Sequence, residues 1–135
     1  MRIRIDGLDK LATDLQEKAR KAERNLNVAM QEIAAIAQNQ AESGIAGPPA
    51  TGVVYGNHRA SAPGEYPARD TGGLKVRAEP RSNGAALVAT PGKQARALEH
   101  GTRNMAPRPF MRRSLDETQD EAEDRIRRAI DRTLD

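Results

Sequence analysis

The sequence predicts an α+β domain: a long N-terminal helical region packed on a small antiparallel sheet, a C-terminal helix, and a long Gly/Pro-rich loop. Three observations carry that reading. Apolar residues recur at spacings of three and four from Leu8 to Ala41, with no proline before Pro48. Residues 43–73 then hold seven of the eleven glycines and four of the eight prolines. Beyond them, two β-type runs flank a turn sequence, and a helical pattern returns near the C-terminus.

Residues 2–5 alternate charged and β-branched side chains and predict a short strand with Ile3 and Ile5 on one face, followed by Asp6 as a helix cap. Leu8, Leu11, Leu15, Ala19 and Ala22 mark one helical face, and Leu26, Ala29, Met30, Ile33, Ala37 and Ala41 mark a second register. The pattern predicts one long helix or two shorter ones broken near 23–27, where Asn25 and Asn27 weaken helical preference. The loop at about 44–73 is too long for a passive connection in a small domain and reads as an interaction loop, with Val53, Val54 and Tyr55 able to pair or pack. Asp70, Thr71, Gly72, Gly73 and Leu74 close it with a short helical turn or a hairpin corner. Residues 74–79 and 85–90 suit an antiparallel hairpin around Pro80, Arg81, Ser82, Asn83 and Gly84. Residues 93–100 predict a two-turn helix, with Ala97 and Leu98 inward, ended by Gly101. A final helix is expected from near Pro109 to Thr133, its inward stripe marked by Leu115, Ala122, Ile126, Ala129, Ile130 and Thr133.

At 135 residues the chain fits a single domain, 1–135. Of 50 hydrophobic residues, 22 are alanine, so only 28 larger apolar side chains remain to build a core. Burial stabilises by roughly 25 cal/mol per Å² of apolar surface, and alanine has little, so a free monomer is expected to be marginally stable and helped by neighbours. The absence of cysteine removes disulfides and thiolate chemistry. No run approaches the roughly 18 apolar residues of a membrane span, and the N-terminus lacks a signal-peptide core, which predicts a soluble protein made and used inside a cell, with no membrane partner.

The net charge of +3 is unevenly spread. Residues 59–113 carry eleven basic against four acidic side chains, whereas 116–135 carry eight acidic against four basic. Acidic residues come early in the predicted final helix and arginines late, which complements the helix dipole. Within 98–115, Gly101 allows a sharp turn while Pro107 and Pro109 restrict the backbone around Arg103, Arg108, Arg112 and Arg113 and the only phenylalanine, Phe110. Such a segment loses little conformational freedom on binding, so it reads as a surface for presentation.

Chemistry finds little support in the sequence. His58 and His100 lack metal-ligand spacing, Ser61 and Ser114 lie outside any nucleophile elbow, and no glycine cluster has phosphate-loop or dinucleotide spacing. The expectation is no enzyme, no cofactor and no metal. A small DNA-associated protein is a competing reading of the basic middle, but three aromatic residues offer no base-stacking platform and no reading helix is evident. Glu99 and Asp116 equally suit arginines of a neighbouring subunit.

The chain resembles the neck, or head-tail connector, proteins of long-tailed bacteriophages, a family that includes minor tail and tail-completion proteins. Three segments carry the resemblance: Ser61-Ala62-Pro63-Gly64-Glu65-Tyr66-Pro67-Ala68 with Asp70-Thr71-Gly72-Gly73-Leu74; Leu98-Glu99-His100-Gly101-Thr102; and Met105-Ala106-Pro107-Arg108-Pro109-Phe110-Met111. Tyr66 and Lys75-Val76-Arg77 depart from the family pattern. The resemblance implies a virion structural protein at the junction of the capsid's portal side and the tail, made in the bacterial host cytoplasm and acting as a homo-oligomeric ring. Six copies are favoured, with twelve the alternative. Its neighbours would be head-closure or adaptor proteins and tail-terminator or tail-tube proteins, and a basic face suits non-specific contact with DNA in a channel. A tail terminator or another tail-ring component is the alternative within the virion. The residues expected at subunit or partner interfaces are Tyr55, His58, Arg59, Tyr66, Arg69, Arg103, Arg108, Phe110, Arg112 and Arg113.

Overall fold

A single helix, α1 (Leu8–Ala46), runs for 39 residues and organises everything else. The structure is a computed structural model that describes residues 1–47, 49–68, 74–82 and 84–135. The helix does not break at 23–27, because both asparagines there are used. Asn25 Nδ2 donates to Thr133 Oγ1 at 3.1 Å, and Asn27 Oδ1 accepts the Gly84 amide at 2.5 Å. Tertiary hydrogen bonds thus override a modest propensity penalty. The expected strand at 2–5 is absent: the segment is coil, with Ile3 and Ile5 exposed and no neighbouring strand to pair with. Asp6 is not the cap either. Gly7, at φ +94°, occupies that position, while the Asp6 carboxylate accepts from Arg4 Nε at 2.7 Å.

The loop contains a small hairpin, β1 (Val54–Tyr55) against β2 (His58–Arg59), turning at Gly56 and Asn57. A second antiparallel hairpin pairs β3 (Arg77–Pro80) with β4 (Ala86–Ala89) in the register Arg77 with Ala89 and Glu79 with Leu87. It lies on α1, to which Gln38 Oε1 ties it by accepting the Ala78 amide at 3.0 Å. Next comes α2 (Lys93–His100), ended at Gly101 as expected; its fully buried residue is Ala95, with Leu98 packed against the core.

The expected final helix is two helices, α3 (Met111–Glu117) and α4 (Gln119–Leu134), meeting at Thr118. Thr118 Oγ1 donates back to the Ser114 carbonyl at 2.8 Å, which the Thr118 amide also reaches at 3.2 Å. α4 runs antiparallel to α1, as the Asn25–Thr133 bond and the 2.8 Å Arg125–Glu32 ion pair fix. The seam between them includes small buried residues: Ala29 on α1, Ala129 and Thr133 on α4. Part of the expected inward stripe therefore lies outside it. Leu115, Ile126 and Ile130 are 49%, 36% and 47% exposed, while the smaller Ala129 and Thr133 of the same stripe take the buried positions.

The main core forms where the C-terminal part of α1 meets the other elements. Ala41, Ile45, Val76, Ala95 and Phe110 are buried together, with Tyr66, Leu74, Val88, Leu98 and Met111 packed around them.

Candidate functional site

Phe110 anchors the arginine-rich segment, and it does so inward. At 1% exposure it is the largest fully buried side chain, seated in the chain's own core rather than presented outward. Glu99, from α2, fixes its position. Glu99 Oε2 accepts the Phe110 and Met111 amides at 2.9 and 3.0 Å, and Oε1 accepts the Arg112 amide at 2.9 Å. A carboxylate from one helix therefore satisfies the free donors at the start of another, where the helix dipole also favours negative charge. Within this chain its partners are the backbone amides of Phe110, Met111 and Arg112.

Between α2 and α3 the chain turns tightly. Gly101 has φ +75°, and a side chain there would meet the Met105 carbonyl and Pro107. An isolated bridge joins Thr102 to Met105, and the Arg108 amide donates to the Leu98 carbonyl at 2.7 Å. Arg103 sits exposed on this turn.

Arg108 and Arg113 both reach the 61–65 loop. Arg108 Nε donates to the Ser61 carbonyl at 2.8 Å, Arg113 Nη1 donates to the Gly64 carbonyl at 3.1 Å, and the Gly64 amide donates to the Pro107 carbonyl at 3.3 Å. The loop has its own brace in Glu65, which accepts from the Thr51 hydroxyl and amide and from the Ala62 amide. Those bonds, the Thr51 hydroxyl first, hold the Glu65 carboxyl below its ordinary range.

Tyr66 docks on α1 beside Gly44, where an added Cβ would run into the ring. Arg113 stacks over that ring at 4.6 Å from its centroid. Glu117 closes the cluster, accepting from Gln40 Nε2 at 2.6 Å, the Tyr66 hydroxyl at 2.7 Å and Arg113 Nε at 2.8 Å. These donors, Arg113 first, pull the Glu117 carboxyl down to about 2. Burial, then the hydrogen bond to Glu117, pushes the Tyr66 phenol up to about 12. A phenol held protonated against a carboxylate held ionised is a lock, and neither group is tuned for proton transfer near neutral pH.

The structure thus brings Tyr66, Arg108 and Arg113 together with Phe110 beneath them, and leaves the other candidates elsewhere. Tyr55 is exposed on β1, His58 is half-buried on β2, and Arg59 Nη1 donates to the Gly52 carbonyl at 3.3 Å. Arg112 is exposed on α3. Arg69 and the 70–73 turn lie outside the described residues. Gln40, Glu65, Glu99 and Glu117 were not among the expected site residues. Glu99 carried a signal, standing next to the Gly101 turn within Leu-Glu-His-Gly-Thr, whereas Gln40 and Glu117 meet only through the antiparallel return of the C-terminal helices.

An open groove of about 420 Å³ runs between the end of α1 and the loop, lined in part by Gly44, Thr51, Glu65, Tyr66 and Arg113. The polar groups of Glu65, Tyr66 and Arg113 are engaged as described. No cluster of three or more His, Asp or Glu able to hold a metal ion occurs among the described residues, and no helix among them is long and apolar enough to cross a membrane. No family model, curated protein or solved structure matches the chain.

Proposed function

We propose that this chain is a structural subunit of the neck of a long-tailed bacteriophage, forming part of a ring that joins the portal side of the capsid to the tail. One observation carries the reading. Of the sequence segments that resemble neck proteins, 61–68 and 98–111, about thirty residues apart, converge as a single braced unit. The 61–68 loop is held by Arg108 and Arg113, and the 105–111 segment is held by Glu99 and the Leu98 carbonyl. The shared motif residues therefore have a common task, which is to present a stiff loop at one end of a helical scaffold. At the β1–β2 hairpin, Val53, Val54 and Tyr55 are exposed at 64%, 51% and 67%, an apolar patch suited to contact with a neighbouring subunit or neck component.

The proposed role is mechanical: rigid placement of contact surfaces in a repeated assembly, where neighbours supply the burial that an alanine-rich core lacks. The test is genetic and structural. Deleting the coding segment from the phage or prophage that carries it is expected to leave DNA-filled heads and complete tails unjoined, with joining restored by the intact chain supplied in trans. Infectious, normally joined particles in the deletion would overturn the proposal. Duplex DNA binding that persists at physiological salt, in a chain dispensable for joining, would favour the DNA-associated reading instead.

A further inference from the structure

The first part of α1 extends beyond the rest of the fold. Residues 8–20 are exposed throughout, a free helical arm of roughly 20 Å. Leu8, Leu11 and Leu15 form an apolar stripe on it, exposed at 61%, 54% and 59%. The stripe continues the line on which α1 already seats its own chain. Leu8, Leu11 and Leu15 stand eighteen residues, about five helical turns, before Leu26, Ala29 and Ile33, which are half-buried, buried and half-buried. α4 ends level with Asn25, so the stripe, ten or more residues nearer the N-terminus, lies beyond its cover.

A second exposed ridge lies on α4. Ile126, Ile130 and Leu134 follow one another at a spacing of four and are 36%, 47% and 68% exposed, on the flank of α4 beside the buried Ala129 and Thr133. The two ridges match in length and in charge. The arm carries Asp14 and Glu17 before Lys18, Arg20 and Lys21; α4 carries Asp120 to Asp124 before Arg127, Arg128 and Arg132. An antiparallel pairing sets most charges of the arm against opposite charges on α4, Lys10 against Asp131 among them, with Glu17 against Asp124 the exception. An antiparallel register that places Leu11 level with Ile130 and Leu15 level with Ile126 also brings Asp14 level with Arg127 and Lys18 level with Glu123. It is the orientation α1 and α4 already adopt within one chain.

We infer that the arm of one copy docks antiparallel on the Ile126–Ile130–Leu134 ridge of a second copy. The contact joins two different surfaces, so each subunit offers an arm and receives one, which generates a closed ring or an open filament rather than a simple dimer. The inference rests on the reading above that copies of this chain assemble, and it names the surfaces by which they do so.

The absence of cysteine allows a clean test. Ala19→Cys on the arm and Glu123→Cys beside the ridge leave all six apolar side chains in place. With a short bismaleimide, a mixture of the two single variants is expected to give a covalent dimer, and the double variant a ladder of higher multimers. Adding Leu11→Glu and Leu15→Glu at these exposed positions is expected to abolish both products with an unchanged circular dichroism spectrum and melting temperature. Crosslinking of Ala19→Cys with itself would show arm against arm and overturn the inference, as would no product at concentrations where light scattering shows an oligomer. A chain that stays monomeric and uncrosslinked at high concentration also overturns it. The ladder from a chain dispensable for joining heads to tails would leave the contact standing while removing the neck role, so the two failures are distinguishable.

Discussion

Replacing Glu99 by alanine removes one carboxylate and strands three backbone donors. The Phe110 and Met111 amides are partly buried and lose partners at 2.9 and 3.0 Å, whereas the Arg112 amide is exposed and recovers a water. Two partly buried donors left unsatisfied cost about 1 to 1.5 kcal/mol each, so Glu99→Ala is expected to destabilise the fold by about 2 to 3 kcal/mol. With an unfolding entropy of about 2.1 cal/mol/K per residue, that corresponds to a fall in melting temperature of about 7 to 11 °C for a chain of 135 residues. Glu99→Gln keeps one acceptor but turns an amide NH2 toward the remaining donors, and about 1 to 2 kcal/mol is expected for it. Thermal denaturation followed by far-UV circular dichroism measures both, and hydrogen exchange locates the loss, which should fall on the amides of residues 110–112. An unchanged melting temperature in Glu99→Ala would refute the argument that this carboxylate positions the rigid segment.

Four further outcomes follow from the same cluster and core. Phe110→Ala empties the centre of the main core and should cost about 3 to 5 kcal/mol by urea denaturation, against an effect near zero for a side chain serving only a partner. Gly44→Ala would gain about 1 kcal/mol at an open helical position, yet here the new methyl meets the Tyr66 ring, so destabilisation is expected and the sign of the change decides. Glu117, lowered from 4.5 to about 2 in the fold, contributes stability that is present above the unfolded value and lost as pH falls through about 2. Glu117→Gln should flatten the acid limb of stability measured against pH. In a Tyr55→Phe background, ultraviolet titration should place the Tyr66 phenol near 12 rather than 10, and a midpoint near 10 would contradict the lock with Glu117.

Local signals were legible where local chemistry decides. The 93–100 helix and the Gly101 stop needed only their own residues, and the β3–β4 hairpin follows from its turn sequence. The N-terminal segment misled because alternation at 2–5 describes a strand only if another strand lies beside it. Asn25 and Asn27 misled in the other direction, since their partners, Thr133 and Gly84, are more than fifty residues away in sequence. The final helix shows a third effect. Ala129 and Thr133 of the expected inward stripe are buried, whereas its larger members Ile126 and Ile130 stand exposed. In the candidate site, Arg108, Arg113, Tyr66 and Phe110 stood out by composition, while the acidic residues that hold them in place are visible only once the helices meet.

A particle reconstruction of the phage that carries this chain tests the central claim most directly. The expected result is a closed ring of copies, six or twelve, on the axis between portal and tail. Density that accounts for the whole neck without this chain would contradict it.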